Sequence, residues 1–119
     1  MKTTSQPGPR ADADLSQAMD RLWSRFLPEL KARVAVLEAA AQAAGESTLT
    51  GKQREAAQAA AHKLAGVLGT FGLTRGTVLA RELELTFARE STPRRAVSPK
   101  LAETAAELRS LIESRKPSA

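Results

Sequence analysis

The chain has 119 residues, of which 42% are hydrophobic, enough for one modest core in a single domain. It has no cysteine and one histidine, which excludes disulfide frameworks, makes ordinary zinc sites implausible and predicts no metal site. The net charge of +5 permits nucleic acid or an acidic protein as a partner without choosing between them.

The ends of the chain and its location are predicted from polarity. No apolar run approaches the ~20 residues that a membrane span needs, and the first ten residues lack the apolar core of a secretory signal. We therefore expect a cytoplasmic protein without a membrane partner. Residues 1–12 are expected to form a disordered N-terminal tail and residues 117–119 a disordered C-terminal end.

A helical pattern begins at about Asp14, where apolar residues start to recur at three- and four-residue steps. The pattern reaches Leu37 and continues through an alanine run to Gly45, which is expected to end the helix in the C′ position. Pro28 lies within this pattern. It either kinks one long helix or begins a second one.

A further helix is predicted over about residues 51–71, with Thr50 as its N-cap. Gly72 is the structural turn that ends this helix, and residues 73–76 continue the turn. This segment carries the histidine of the chain, so its orientation decides which residues can form a site.

Two more helices complete the predicted fold. One covers about residues 77–90 and is followed by a loop over 91–97; the other begins with Ser98 as N-cap and Pro99 in the first helical position. The pattern predicts an all-α fold over residues 13–116, an antiparallel up-and-down four-helix bundle with an extra or kinked N-terminal helix. The apolar stripe of the 77–90 helix contains Val78, Leu79, Leu83 and Phe87.

His62 is predicted to face solvent from the middle of its helix. At about 100° per residue, Leu64 and Leu68 fall on the opposite side of the helix from it. Glycine inside a helix costs about 0.8–1 kcal/mol relative to alanine, so stability does not explain the glycines on the histidine side. We infer that a partner approaches this surface. The residues on the histidine side are Glu55, Gln58, Ala59, Gly66 and Gly69.

This segment resembles the histidine-containing phosphotransfer (HPt) family, helical-bundle domains that relay phosphoryl groups in two-component signalling. The family pattern is a histidine, any residue, an apolar residue, usually lysine, then glycine, with another glycine ten positions after the histidine. In this chain the pattern reads His62, Lys63, Leu64, Ala65, Gly66 and, ten positions after the histidine, Gly72. Leu83 and Glu84 in the next helix also resemble the family, and the resemblance covers about residues 15–115.

The resemblance implies that His62 accepts a phosphoryl group from the aspartyl phosphate of a receiver domain and returns it to another. It implies response-regulator receiver domains, a hybrid sensor kinase or both as partners. Magnesium is then expected on the receiver, and no cofactor is expected on this chain. The chain would be a phosphoryl carrier rather than a kinase, because it has no glycine-rich ATP site.

The resemblance also suggests roles for the neighbours of the histidine. Where the family usually has lysine, three residues after the histidine, this chain has Ala65. Lys63 and Gln58 are the candidate substitutes that would support the phosphoryl oxygens, and Gly66 would leave room around the phosphorylated ring. The residues predicted to dock the receiver are Ala59, Ala65 and Gly69.

Two alternatives to phosphotransfer stay open. Residues 68–81 are similar to a DNA-binding helix-turn-helix, in which Arg75 and Arg81 would suit phosphate contacts. Gly76 would then lie inside the recognition helix, so nucleic acid is the less expected partner. The second alternative is a scaffold that docks a receiver without chemistry, which the missing lysine at Ala65 keeps open.

Overall fold

Four α-helices form the structure, a computed structural model that describes residues 9–88 and 98–115. Helix α1 packs against α2 and α4, and α3 packs against the same two helices. The predicted all-α helical bundle is confirmed, and the described residues contain no strand. Within those residues, no helix combines the length and hydrophobicity required to span a bilayer. The helices are α1 (Pro9–Gly45), α2 (Gly51–Thr70), α3 (Thr74–Ala88) and α4 (Ser98–Glu113).

Helix α1 is one continuous helix that contains Pro28, so the alternative of a second helix beginning there is wrong. Pro28 is exposed, and the backbone hydrogen bond that it cannot make faces solvent. The helix starts at Pro9 rather than near Asp14, since proline suits the first helical turn and Asp12 there complements the helix dipole. The rest of the predicted tail, and residues 117–119, lie outside the described residues.

The connection between α1 and α2 differs from the prediction at its start and agrees at its end. Gly45 is the last residue of α1, and the left-handed residue is Ser47, with a φ of 58°. The prediction of Gly45 in the C′ position is therefore wrong, because the alanine-rich helix continues through it. Thr50 caps α2 as predicted: its hydroxyl accepts the backbone N–H of Gln53 at 3.0 Å.

Gly72 ends α2 as predicted, with a φ of 74° that favours glycine. Helix α3 begins at Thr74, three residues earlier than expected, so the predicted turn over 73–76 is mostly helical. Gly76 is buried inside α3, where an added Cβ would lie 3.0 Å from Cδ1 of Leu68. Close packing of α2 on α3, rather than a turn, therefore requires glycine at this position.

The core receives side chains from all four helices, and this packing sets the rotation of each helix. In α3, Leu79, Leu83 and Phe87 are buried as predicted. Val78 is 45% exposed, because it lies one residue, about 100°, away from that stripe. The predicted loop over 91–97 lies outside the described residues. The largest fully buried side chains are Leu30, Val34, Leu37, Leu64, Leu68, Leu79, Leu83, Phe87, Leu108 and Ile112.

An ion pair joins α1 to α4 at the surface of this core. Arg109 donates from Nε to Oε2 of Glu38 at 2.8 Å and from Nη2 to Oε1 at 2.7 Å. These hydrogen bonds lower the pKa of Glu38 below its usual value of 4.5. A carboxyl with a lowered folded-state pKa stabilises the fold above its unfolded pKa, and this contribution is lost as pH falls through the folded value.

Glu38→Gln is expected to reduce the loss of stability that acid causes. The variant should be less stable than wild type at about pH 6, and the difference should be smaller at about pH 3. The difference should be at most about 1 kcal/mol, because the pair is partly exposed and screened by solvent. Urea unfolding at the two pH values measures it, with Glu103→Gln on the exposed side of α4 as control. A difference independent of pH would contradict the assignment.

Candidate functional site

His62 projects from the middle of α2 into solvent, with 69% of its side chain exposed. Leu64 and Leu68, on the other side of the helix, are fully buried against α1 and α3. The prediction of an exposed histidine opposite a leucine core is confirmed. The imidazole is therefore available to a second molecule without any rearrangement of the bundle.

A carboxylate from α3 fixes the imidazole. Nδ1 of His62 lies 2.8 Å from Oε2 of Glu84. An ionised carboxylate can only accept a hydrogen bond, so Nδ1 carries the proton and donates it. In the neutral ring, Nε2 then has a free lone pair and is the nucleophilic nitrogen. The two nitrogens project to nearly opposite sides of the ring, so Nε2 points away from α3.

The contact between His62 and Glu84 was missed from the sequence, although Glu84 was part of the family resemblance. A signal for it does exist. Helices α2 and α3 form an antiparallel pair about the turn at Gly72, and the two residues lie ten positions before and twelve positions after it. Residues at similar distances from such a turn come level with each other.

His62 lies between two open grooves on the surface of the bundle. Open grooves of this kind suit contact with another protein surface better than enclosure of a small molecule. The α1–α2 groove, of about 500 Å³, is lined by Phe26, Glu29, Arg33, His62, Lys63, Gly66, Val67 and Thr70. The α2–α3 groove, of about 410 Å³, is lined by Glu55, Gln58, Ala59, His62, Lys63 and Glu84.

Four of the predicted neighbours lie beside the histidine, although their roles stay predictions. Lys63 lines both grooves, Gly66 lines the α1–α2 groove, and Gln58 and Ala59 line the α2–α3 groove. An added Cβ at Gly66 would meet no atom within 4 Å. Packing within the chain therefore does not require glycine at this position.

The other two predicted docking residues lie nearer to α3. Ala65 is only 2% exposed, and its carbonyl accepts a hydrogen bond from Oγ1 of Thr77 at 3.2 Å. The prediction that Ala65 contacts a receiver is wrong, because this residue is turned about 60° from His62 into the α2–α3 contact. Gly69 is exposed, and an added Cβ there would lie 3.5 Å from Thr77 Oγ1. Its docking role stays a prediction.

Two residues of the possible helix-turn-helix, Arg75 and Gly76, make contacts with other helices of the bundle. Arg75, one of its expected phosphate contacts, donates from Nε and Nη2 to the carboxylate of Glu107 in α4, at 2.9 and 3.2 Å. Gly76 is buried between α2 and α3. This arrangement holds the start of α3 against its neighbours and does not favour presentation of α3 to a DNA groove.

A helical bundle that presents one oriented imidazole on an open surface fits the class of proteins in which a surface histidine carries a transferred group. The family model of the Hpt domain matches residues 21–116, and the chain belongs to this family. The family indicates histidine phosphotransfer in two-component signalling, in which Hpt domains work with receiver domains and sensor kinases.

The chain is also similar to one curated relative, Protein RcaC of Microchaete diplosiphon. The two share 38% identity over 66 residues, which cover 56% of this chain and 10% of that protein. The match thus spans about a tenth of the length of the relative. No solved structure is a significant match to the chain.

Proposed function

We propose that Nε2 of His62 accepts a phosphoryl group from the aspartyl phosphate of one receiver domain and passes it to the aspartate of another. The observation that carries this proposal is the 2.8 Å contact between Glu84 and Nδ1 on an otherwise exposed ring. It leaves Nε2 unprotonated and accessible. The proposed partners are response-regulator receiver domains, a hybrid sensor kinase or both, and the proposed location is the cytoplasm.

The transfer moves two electron pairs in the same sense, from Nε2 to phosphorus and from phosphorus to the aspartate oxygen. The lone pair of Nε2 attacks phosphorus and forms the N–P bond, while the P–O bond breaks and its electron pair stays on the aspartate carboxylate. Nδ1 keeps its proton, so the ring gains positive charge that the carboxylate of Glu84 stabilises. Phosphoryl transfer has a loose transition state that depends on charge stabilisation and positioning. We expect the receiver's magnesium to supply charge neutralisation from the partner's side.

Incubation with a phosphorylated receiver domain tests the proposal. The full chain should acquire label that is lost in acid and kept in alkali, as expected of phosphohistidine, and peptide mapping should place it on His62. If the chain binds receivers but takes no label from any receiver of its source organism, phosphotransfer is wrong and the scaffold alternative replaces it.

Glu84→Ala is expected to lower the rate of phosphoryl transfer about tenfold or more. A hydrogen bond to a charged group contributes about 1.5–3 kcal/mol, and each 1.36 kcal/mol corresponds to about a factor of ten. Glu84→Gln should fall between wild type and Glu84→Ala, because the amide oxygen still accepts from Nδ1 but carries no charge. Rapid-quench measurement of receiver-to-chain transfer gives the three rates.

The control for this series is Glu82→Ala, an exposed carboxylate two residues away on α3. It changes the net charge by the same amount and lies about 200° around the helix from Glu84. Equal rates for wild type and both Glu84 variants would show that the carboxylate does not position the ring during transfer.

A further inference from the structure

The nitrogen that would carry the phosphoryl group lies on the side of the imidazole away from α3. Glu84 holds Nδ1 from the α3 side. The ring borders both grooves, and Nε2 projects to the side opposite Nδ1. A phosphoryl group on Nε2 would therefore lie on the side of His62 where α1 contributes side chains to the α1–α2 groove.

The antiparallel register of α1 and α2 brings Arg33 level with His62. Trp23 and Phe26 both contact Phe71 edge to face, at ring-centroid distances of 5.1 and 6.3 Å. Ten residues from Trp23 to Arg33 correspond to ten residues back along α2, from position 71 to 61. Seven residues from Phe26 to Arg33 likewise correspond to seven residues back along α2, from position 71 to 64. Arg33 thus lies beside the turn of α2 that contains the histidine.

Arg33 already lies in this groove, where it forms an ion pair with Glu29. Its side chain is 20% exposed, and Nη2 donates to Oε1 of Glu29 at 2.8 Å. Both residues line the α1–α2 groove with His62. The bond to Glu29 uses one of the five N–H donors of a guanidinium, whose planar fork also matches the oxygens of a phosphoryl group.

We propose that Arg33 binds the phosphoryl oxygens on phosphorylated His62. Arg33 would thereby supply the positive charge that the family usually has as a lysine at the position of Ala65. The inference rests on the proposed phosphorylation of His62. A phosphoryl group carries roughly −1.5 to −2 charges, so it competes well with one carboxylate for the guanidinium. Phosphorylation then moves Arg33 from Glu29 to the phosphoryl group, and Glu29 restrains Arg33 in the unphosphorylated protein.

Lys63 is the other cation that lines this groove. Its ammonium is a point charge on a flexible stem, whereas a guanidinium can bind two phosphoryl oxygens at once. Lys63 also follows His62 directly, so it leaves the helix about 100° away from the histidine. The geometry therefore favours Arg33 over Lys63, and the two variants can be compared directly.

The lifetime of phosphohistidine tests the assignment without a receiver present. The full chain is labelled with phosphoramidate, the donor is removed, and loss of the label is followed by ³¹P NMR at neutral pH. A guanidinium bound to the phosphoryl oxygens stabilises the phosphorylated form of the protein, so its removal should speed loss of the label. Arg33→Ala should shorten the half-life about tenfold, since a charge-assisted hydrogen bond is lost. Glu29→Gln should lengthen it by freeing Arg33.

Opposite effects from the two members of one ion pair distinguish phosphoryl binding from a structural role. Lys31→Ala, on the opposite side of α1, should leave the half-life unchanged. Three outcomes would overturn the inference while the proposed function stands. The first is an equal effect of Arg33→Ala and Glu29→Gln on the half-life, and the second is no effect of either. The third is a shorter half-life in Lys63→Ala but not in Arg33→Ala. A wild type that takes label at His62 from neither phosphoramidate nor a receiver overturns both.

Discussion

His62→Gln is expected to abolish phosphoryl acceptance, with a fall on the order of 10³-fold or more in labelling rate. The glutamine amide has no nucleophilic nitrogen, because its lone pair is delocalised into the carbonyl. Stability should change by no more than about 0.5 kcal/mol, since the substituted side chain is an exposed one. Label transfer from a phosphorylated receiver and thermal unfolding measure the two effects.

Two further measurements make this result specific. Lys52→Gln, an exposed substitution on the same helix, should transfer at the wild-type rate. The chain contains no second histidine, so label that persisted in His62→Gln would have to sit on another kind of side chain. An acyl phosphate on a carboxylate is lost in alkali, whereas phosphohistidine is kept. Alkali-labile label in both wild type and His62→Gln would contradict the assignment of His62 as the phosphorylated residue.

Helix periodicity was sufficient to predict the bundle and the exposed face of α2. Leucines at three- and four-residue spacing determine which side of a helix is buried, and that rotation alone places His62 in solvent. Capping chemistry was equally local: Thr50 and Gly72 act where the sequence placed them. The buried and exposed sides of α2 and two of its end signals were thus predicted from local sequence, whereas the exact ends of α1 and α3 were not.

Features that depend on two helices at once were not predicted. A helical wheel separates buried from exposed positions, but it does not say which neighbouring helix covers a position about 60° from the exposed centre. Ala65 occupies such a position, and α3 covers it. The register between antiparallel helices determines both the contact of Glu84 with His62 and the position of Arg33 beside His62. Core packing and turn geometry set that register.

The distribution of roles in the site follows from this packing. In the proposed mechanism α2 would supply the nucleophile, α3 the carboxylate that holds Nδ1, and α1 a cation in the groove on the other side of His62. A lysine at position 65 would have placed the cation on α2, but the small buried side chain there lets α2 and α3 pack closely instead. The missing lysine is thus compatible with phosphotransfer when the cation comes from another helix.

Substitutions at Gly66 are expected to change stability and phosphotransfer in opposite directions. Gly66→Ala should raise the free energy of unfolding by about 1 kcal/mol, because alanine favours the helix and its Cβ would meet no atom within 4 Å. For a chain of 119 residues, that corresponds to a rise in Tm of about 4 °C. Thermal and urea unfolding measure this gain.

Gly66→Leu should keep a stable fold and lower receiver-dependent transfer by about 10²-fold, because even a 1 Å misplacement of reacting groups has an effect of that size. The leucine would project into the α1–α2 groove one turn beyond His62 and hold the receiver away from Nε2. Ala56→Leu, an exposed change on another side of α2, should transfer normally. Wild-type transfer by Gly66→Leu would mean that the receiver does not approach through this groove. The glycine would then be unexplained, since no contact within the chain requires it.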